Sequence, residues 1–549
     1  MVRVPRGESA APPGTGILVP AALLAGVVAF GLARLTLLPG LGFWDTGELQ
    51  VVGPVLGTAH PTGFPAYVLL GWLASIAFAP FGDPAFRMNL LSAVLLGGAT
   101  TLTVVLAHRL TGHVWIAFAT GLVMAAVPIV WTIGTRADAH ALHVFLVALL
   151  LVLLVGWERR VRTAGGGSGS LSTAGRRRLA RPGDRWLLAA ALVFGVSLAN
   201  HTLTLLLAPG IGLYVLAAQP GILRRPRFIM ALAVALLATT ALLFLELPLR
   251  AGVFRAPLVY GHPERLGGFL YVVFAQQFLG ALDQPFANLG GKIVTLGQFS
   301  FDQLGELSLV IPIAFVVAVK RQPRYALLTG VSVLITAWFA SSYVNADISR
   351  YYLGPAVMVL SWLALLAAEV VELLARVMRA EVLDAPRGVM MSPRRVARFG
   401  TTSPVAFVLE VTLAVAFLVP TVQALPDRAR AADLTSDHVA SEWAHRAMLI
   451  MEPDAVVVSW WSYSTTLWYA QIVEGLRPDV WIVDDRTRLD DNLGEVTDVI
   501  DAQLGHRPVY VVRLAGDDDL AAVEARYDVQ VFTMPTEQPI MKILGRRAP

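Results

Sequence analysis

The sequence predicts a multispanning α-helical membrane protein that ends in a small soluble α/β domain. Three observations predict it. First, the 549 residues are 56% apolar and only 15% charged, against about 25% charged in soluble domains, and the mean hydropathy is +0.63. Second, apolar runs of the length that a ~30 Å hydrocarbon core requires recur through residues 1–426 and then stop. Third, the net charge of +4 is a cancellation: residues 1–426 carry 31 Lys/Arg against 18 Asp/Glu, and residues 427–549 carry 12 against 21. A basic hydrophobic body is joined to an acidic tail, so the domains are placed at 1–426 and 427–549. The chain has no Cys, which excludes disulfides, thiolate zinc sites and Cys nucleophiles. No nucleic-acid partner is expected.

The apolar runs lie at 17–38, 66–82, 88–107, 114–131, 140–157, 186–199, 203–219, 228–246, 304–319, 325–342, 352–375 and 405–424. The first is long for a signal-peptide core and reads as a retained helix. Cytoplasmic loops are rich in Lys/Arg. The loop 158–185 holds Arg159, Arg160, Arg162, Arg176, Arg177, Arg178, Arg181 and Arg185, and the N-terminus holds Arg3 and Arg6. Both therefore belong inside, with an even number of spans between them. That parity removes 66–82, which is short and bounded by Pro65 and Pro84. It becomes a juxtamembrane helix on the outer surface, within a first outer loop at 39–87. Eleven spans remain, with the N-terminus cytoplasmic and the tail extracytoplasmic across a plasma (inner) membrane. By this count 23 of the 31 basic residues lie inside, those of 376–404 among them. The stretch 163–175 reads as a flexible Gly/Ser linker and lacks a phosphate-loop motif.

In the tail, Ala455–Ser459, Asp479–Val483, Pro508–Val512 and Val529–Thr533 read as short buried strands. Helical stretches near 434–451, 464–474, 493–504 and 517–527 alternate with them. This alternation predicts a largely parallel sheet. No dinucleotide fingerprint follows any strand. Asp484, Asp485, Asp490 and Asp491 cluster, as a solvated loop or as a site for a divalent cation or a basic substrate.

Polar groups near a membrane are costly and usually functional, and the outer face collects them. Asp45 and Glu48 stand three apart beyond the first span, which puts them on one face if the stretch is helical. Such a pair suits a general base or a divalent cation, or a capping box. His60-Pro-Thr-Gly-Phe-Pro65 is a rigid turn that could aim His60 at those acids, or simply a helix entry. Arg136, Asp138, His140 and His143 follow on the second outer loop, with Asp138 a good N-cap and the His pair a weak metal signal. His201 should line a wet cavity. Arg250 lies at the start of the outer segment 247–303, and Asp347-Ile-Ser-Arg350-Tyr351-Tyr352 is the fifth outer segment. Arginine holds phosphate in a planar, bidentate manner. Carboxylates, His and Arg on one face are equipment for handling a phosphorylated lipid.

The motifs Trp44-Asp-Thr-Gly-Glu48, His60-Pro-Thr-Gly-Phe-Pro65, Arg87-Met-Asn-Leu-Leu-Ser92, Asp138-Ala-His-Ala-Leu142, Ser197-Leu-Ala-Asn-His201, Leu247-Pro-Leu-Arg-Ala251 and Arg350-Tyr-Tyr-Leu353 occur in order. Leu467-Trp-Tyr-Ala-Gln-Ile-Val-Glu-Gly-Leu-Arg-Pro-Asp479 completes the set. The whole resembles a bacterial multispanning family related to a vertebrate endoplasmic-reticulum protein O-mannosyltransferase, within the GT-C glycosyltransferase superfamily. The resemblance implies a GT-C-like fold, a polyprenyl-phosphate-linked sugar donor and chemistry on the non-cytoplasmic face. It implies Asp45 as the catalytic carboxylate, with Glu48, His60 and Asp138 beside it. Relatives often show Glu-Val-Tyr where this chain has Asp138-Ala139-His140.

The expected function is transfer of a sugar, mannose first, from a polyprenyl-phosphate carrier to an acceptor hydroxyl. That hydroxyl would belong to Ser/Thr of an exported protein, or to a glycan or lipid. Asp45 and Glu48 are the expected catalytic residues. His60, Arg136, Asp138, His201, Arg250, Arg350 and Tyr351 are the expected substrate ligands. No cofactor is required by this reading, and a divalent cation on Asp45 and Glu48 is an open alternative. The rival reading is a transporter or flippase, which should place its polar groups at the bilayer midplane, often with internal repeats.

Overall fold

The computed structural model describes residues 15–165, 183–344, 347–383 and 404–548. The N-terminal arginines, most of the 163–175 linker and the basic stretch 384–403 lie outside the described residues. Helix α1 (Thr15–Leu35) leads into α2 (Trp44–Val55) and α3 (Pro65–Ala77). Pro65 starts α3, where a missing N–H costs nothing. At 13 residues α3 spans only ~20 Å, too short to cross a bilayer, as charge parity required. Helix α4 (Pro84–Thr111) opens with Asp83 accepting from the Phe86 N–H at 2.7 Å and closes on Gly112 in the left-handed region (φ 82°).

Eight described helical stretches are long and apolar enough to cross a membrane. A ninth is the bent pair α5 (Val114–Ala125) and α6 (Pro128–Gly134), which turns by 67° where Pro128 interrupts the ladder. The remaining two predicted segments fall on shorter helical stretches, Asp184–Asn200 and Thr202–Ala218; Pro65–Ala77 and Leu266–Ala281 are short apolar stretches as well. The chain is an integral membrane protein. The run at 304–319 is the end of a longer helical stretch, Leu289–Arg321. Lys292 and Asp302 interrupt its hydropathy and hid its first half.

Helices α4 and α7 (Ala139–Gly165) are the most enclosed. Their small residues let neighbours approach: a Cβ on Gly97 would meet the Gly26 carbonyl of α1 at 2.9 Å. The basic residues collect at the helix ends away from His140. There Arg324 pairs with Glu158 (3.0 Å), Arg225 with Asp184 (2.5 Å) and Arg376 with Glu369 (3.2 Å).

The last apolar helix, Pro404–Ala432, carries on past the predicted boundary at 426. The tail is a five-stranded sheet of order β2-β1-β3-β5-β4: β1 (Val456–Ser459), β2 (Trp481–Asp484), β3 (Val509–Val512), β4 (Tyr527–Phe532) and β5 (Ile540–Arg546). The first three are parallel, and β5 runs antiparallel between β3 and β4. The fifth strand was not predicted. Helix Trp461–Trp468 packs on α2, helix Val439–Ile450 packs on Trp461–Trp468, and the buried core runs on from the membrane body into the tail. The Tyr469 hydroxyl accepts from the Ala85 N–H at 3.0 Å, and the Leu434 N–H donates to the Thr36 carbonyl at 3.1 Å.

Candidate active site

The first outer loop is tied down before any catalytic group is placed. Asn89 on α4 donates to the carbonyls of Leu38 and Gly40, both at 2.9 Å. Its carbonyl oxygen accepts from Gln50 at 2.8 Å and from the Ala137 N–H at 2.8 Å. Gln50 donates to Gly40 and accepts from the Gly42 N–H, both at 2.9 Å. Two fully buried amides thus fix the start of α2 against α4 and the approach to α7. Ser92 adds a 3.2 Å bond from the Asp138 N–H, which accounts for two residues of the 87–92 motif.

On that frame α2 begins at Trp44, and Phe43 caps it without a side-chain bond. The capping-box alternative is therefore not what the loop forms, and both acids turn to the site. Glu48 is fully buried. Its Oε2 meets His60 Nδ1 at 2.5 Å and its Oε1 accepts the His60 N–H at 2.6 Å, so the Pro-Gly turn does aim His60 at the acids. Burial pushes the His60 imidazole down, but the charges of Glu48 and Asp45 outweigh it and hold it above its ordinary value. Burial likewise holds Glu48 above its own.

Asp45 Oδ2 lies 3.2 Å from Arg350 Nη2, and its Oδ1 accepts from the Trp461 indole at 3.3 Å. Arg350 also reaches Asp138 Oδ2 and Asp347 Oδ2, each at 3.4 Å. One guanidinium thus bridges three carboxylates. Burial raises Asp45, yet His60 and Arg350 outweigh it and hold the carboxyl below its usual value. Asp138 is held further down, by Arg350 and His140 against its burial. Its Oδ1 accepts from both the His140 N–H (2.8 Å) and Nδ1 (2.9 Å), so it also caps α7 as predicted.

Two cavities meet at Asp45, His60, Phe278, Asp347 and Arg350. The first, about 380 Å³, is walled by hydrocarbon from Leu205, Leu206, Phe274, Leu279, Leu282 and Phe339, with Asp138, His140, His201 and Tyr351 at its polar end. Tyr351 lies nearly parallel to His140, ring centroids 6.1 Å apart. His201 is 4.8 Å from His140 by ring centroids. Burial, with His140 and His143 adding, holds it well below its usual value. It lines the cavity as predicted. The second cavity, about 530 Å³, opens between the body and the tail and holds Arg136, whose nearest carboxylate, Asp347, stands at 3.9 Å.

Of the predicted ligands, Arg250 stands apart from both cavities. It donates to the carbonyls of Leu56 (2.7 Å) and Val55 (3.0 Å) and so closes the C-terminal end of α2. Trp461 was not foreseen, and Asp347, placed on the fifth outer segment, was not assigned to the site. Trp461 belongs to the tail, and the sequence carries no local sign that it reaches Asp45. Asp347 could have been suspected from its spacing of three from Arg350.

The donor set does not resemble a cation site. Both oxygens of Glu48 are engaged by His60, and Asp45 is engaged by Arg350 and Trp461. No group of three or more His, Asp or Glu among the described residues could hold a metal. His140 and His143 are both buried, yet neither belongs to such a group. Of the tail acids, Asp485 pairs with Arg513 (2.7 and 2.9 Å) and Asp490 accepts the Gly261 N–H (2.8 Å), while Asp491 is exposed. Asp484 is 1% exposed.

Residues 45–221 match the family described as the Protein O-mannosyl-transferase TMEM260 N-terminal domain. The mouse (Mus musculus) Protein O-mannosyl-transferase TMEM260 is 28% identical over 474 residues, 82% of this chain and 60% of that protein. The Dictyostelium discoideum protein of the same description is 26% identical over 129 residues, 23% of this chain and 16% of that protein. The chain thus spans about 60% of the length of the mouse relative. Two crystal structures of ArnT from Cupriavidus metallidurans, one bound to undecaprenyl phosphate and one apo, superpose with TM-score 0.53, at 16% and 15% identity. Each superposition covers 96% of this chain and 98% of ArnT, so the predicted GT-C-like architecture is borne out. The resemblance carried by the motif order holds as well: over residues 45–221 this chain matches the TMEM260 protein O-mannosyl-transferase N-terminal domain, on a fold that it shares with ArnT.

Proposed function

We propose that this chain is a membrane glycosyltransferase that moves mannose from a polyprenyl-phosphate carrier to a Ser/Thr hydroxyl of an exported protein. One observation carries the reading: Asp45 sits where a hydrocarbon-walled cavity meets a polar one. The first suits the lipid of the donor. The second suits the acceptor. The names of the relatives supply the sugar and the acceptor class, and the ArnT complex is with a polyprenyl phosphate.

The reaction follows from the groups in place. The acceptor hydroxyl enters from the polar cavity and gives its proton to Asp45 as its oxygen bonds to C1 of the sugar. The C1–O bond to the phosphate breaks, and its electron pair leaves with the polyprenyl phosphate. Arg350 stabilises that leaving charge, since its planar fork stays charged throughout. Asp138 and Asp347 hold Arg350 in position. Glu48 anchors His60, whose positive charge keeps Asp45 ionised. No step runs through a cation, and transfer with and without chelator tests that.

Residue side supports an extracytoplasmic site. The basic residues collect at the opposite end of the bundle, as cytoplasmic loops do. The polar groups lie at one end rather than at the midplane, which disfavours a transporter. Reporter fusions at residues 168 and 549 test the orientation. The reading is tested by Asp45→Asn, which should abolish mannosyl transfer while the protein still folds and binds the donor. Full activity in that variant overturns it.

A further inference from the structure

The second cavity differs from the first in what it lacks. Among the described residues its lining contains no aliphatic side chain. It is built from aromatic rings, such as Trp44 and Trp461, and from charges of both signs, such as Arg136 and Asp484. A lipid acceptor would find no aliphatic wall there, only rings set among charges, whereas a chain arriving from water meets rings and hydrogen-bonding groups.

The tail supplies one side of this cavity in an ordered way. Strands β1, β2 and β3 are parallel, with Ser459 beside both Asp484 and Val512, so their C-terminal ends point the same way. Trp461 follows β1, Asp484 ends β2, and Asp485 and Arg486 come next. The C-terminal ends of parallel strands are where open α/β sheets bind ligands. Here Trp461, just past that edge, donates to Asp45 at 3.3 Å, and Asp484 lines the same cavity as Asp45.

Most polar groups on the edge are already used. Asp485 is neutralised by Arg513, and Arg486 donates to the Tyr271 hydroxyl at 2.6 Å. Asp484 is half used. Its Oδ1 accepts the Thr487 N–H at 2.7 Å and the Thr487 hydroxyl at 2.9 Å, but its buried Oδ2 has no partner. A buried carboxylate oxygen without a donor is costly. Burial pushes this carboxyl up to about 6.

We infer that the C-terminal strand edge of the tail is an acceptor-binding subsite, in which Asp484 Oδ2 receives a hydrogen bond from an N–H of the polypeptide acceptor beside the reacting hydroxyl. This rests on the glycosyl-transfer reading and adds to it the residue that positions the acceptor. It also makes the tail a wall of the site rather than a separate presenter.

The test uses the full chain in lipid nanodiscs, with polyprenyl-phosphate mannose as donor and Ser/Thr peptides as acceptor. Asp484 caps the helix that follows it, and Asn caps as well as Asp. Asp484→Asn therefore removes the acceptor-only oxygen without removing the cap. It should raise the peptide KM about tenfold, change kcat less than twofold, and leave Tm and the donor KM in place. Asp484→Ala should also lower Tm. An unchanged peptide KM in Asp484→Asn overturns the inference, as does a donor KM that moves with it, which marks a structural defect. Wild-type transfer to glycans but never to peptides overturns the polypeptide assignment. A wild-type protein that passes mannose neither to peptide nor to water overturns the transfer reading itself, and this inference with it.

Discussion

The indole of Trp461 donates to Asp45 across 3.3 Å, although 416 positions separate them. The proposed base is therefore completed by a residue from the soluble tail. Trp461 also packs on His60 and Tyr260, with ring centroids 5.7 and 5.6 Å away. Trp461→Phe keeps much of that ring contact and deletes only the donor. Hydrogen bonds to charged groups are worth about 1.5–3 kcal/mol, so kcat should fall at least tenfold with little change in Tm. Steady-state transfer assays check the first outcome and thermal unfolding the second.

Arg350 is the shared partner of Asp45, Asp138 and Asp347. A lysine carries the charge but cannot reach three carboxylates with one planar group. Arg350→Lys should lower transfer by about a hundredfold, the scale seen when one charge-stabilising donor is lost. Arg350→Ala should also destabilise the fold, because it leaves buried Asp138 without its counter-charge. Donor titrations and melting curves separate the two.

The Glu48–His60 pair makes stability depend on pH. Both groups hold their protons to higher pH than their ordinary values of 4.5 and 6.5. The folded chain therefore binds more protons than the unfolded one, and the contribution of His60 is complete below pH 6.5. It is lost as pH rises through the raised value of the folded state. Asp45, held below 3.8, acts the other way and only in acid. Tm should fall from near neutral pH into the alkaline range, and this slope should flatten in a Glu48→Gln, His60→Gln double variant. A thermal-shift series across pH 6–9 measures both.

Gly47 sits at the seam between loop and tail. A Cβ there would meet the Gly42 carbonyl at 2.5 Å and Thr465 Oγ1 at 2.8 Å, and neither neighbour is a free side-chain end. Gly47→Ala should cost about 1–3 kcal/mol, the usual penalty of overpacking, and reduce transfer through the displaced Trp461. Gly297, with open space around it in a helix, is the control. Gly297→Ala should be neutral or stabilising by about 0.5–1 kcal/mol. Chemical denaturation of the two variants decides between them.

The half of the site built by local rules was legible in the sequence. Asp45 and Glu48 are three apart on a helix, His60 is turned by Pro and Gly, and Asp138 caps a span. The charge pattern also set the short α3 apart from the longer apolar helices. Trp461 was not legible, because no local pattern tells which edge of a soluble α/β domain will face the membrane. Arg250 was misleading: an arginine beside a site looks like a phosphate ligand, yet two carbonyls of α2 take it first. Asn89 was quoted within a motif, but its role depends on two loops that meet only in the fold. The fifth strand escaped because a lysine, a glycine and an arginine dilute its alternation in Ile540–Arg546.

The continuous core that joins body and tail bears on when this protein becomes competent during its own synthesis. Chains are made from the N-terminus, and early segments fold first. Asp45, Glu48 and His60 emerge and enter the membrane long before Trp461 is translated. Until β1 to β3 have formed and docked, Asp45 lacks its indole partner and the polar cavity lacks a side. On the proposed reading, the site is complete only once the tail has been translated and has docked on the body.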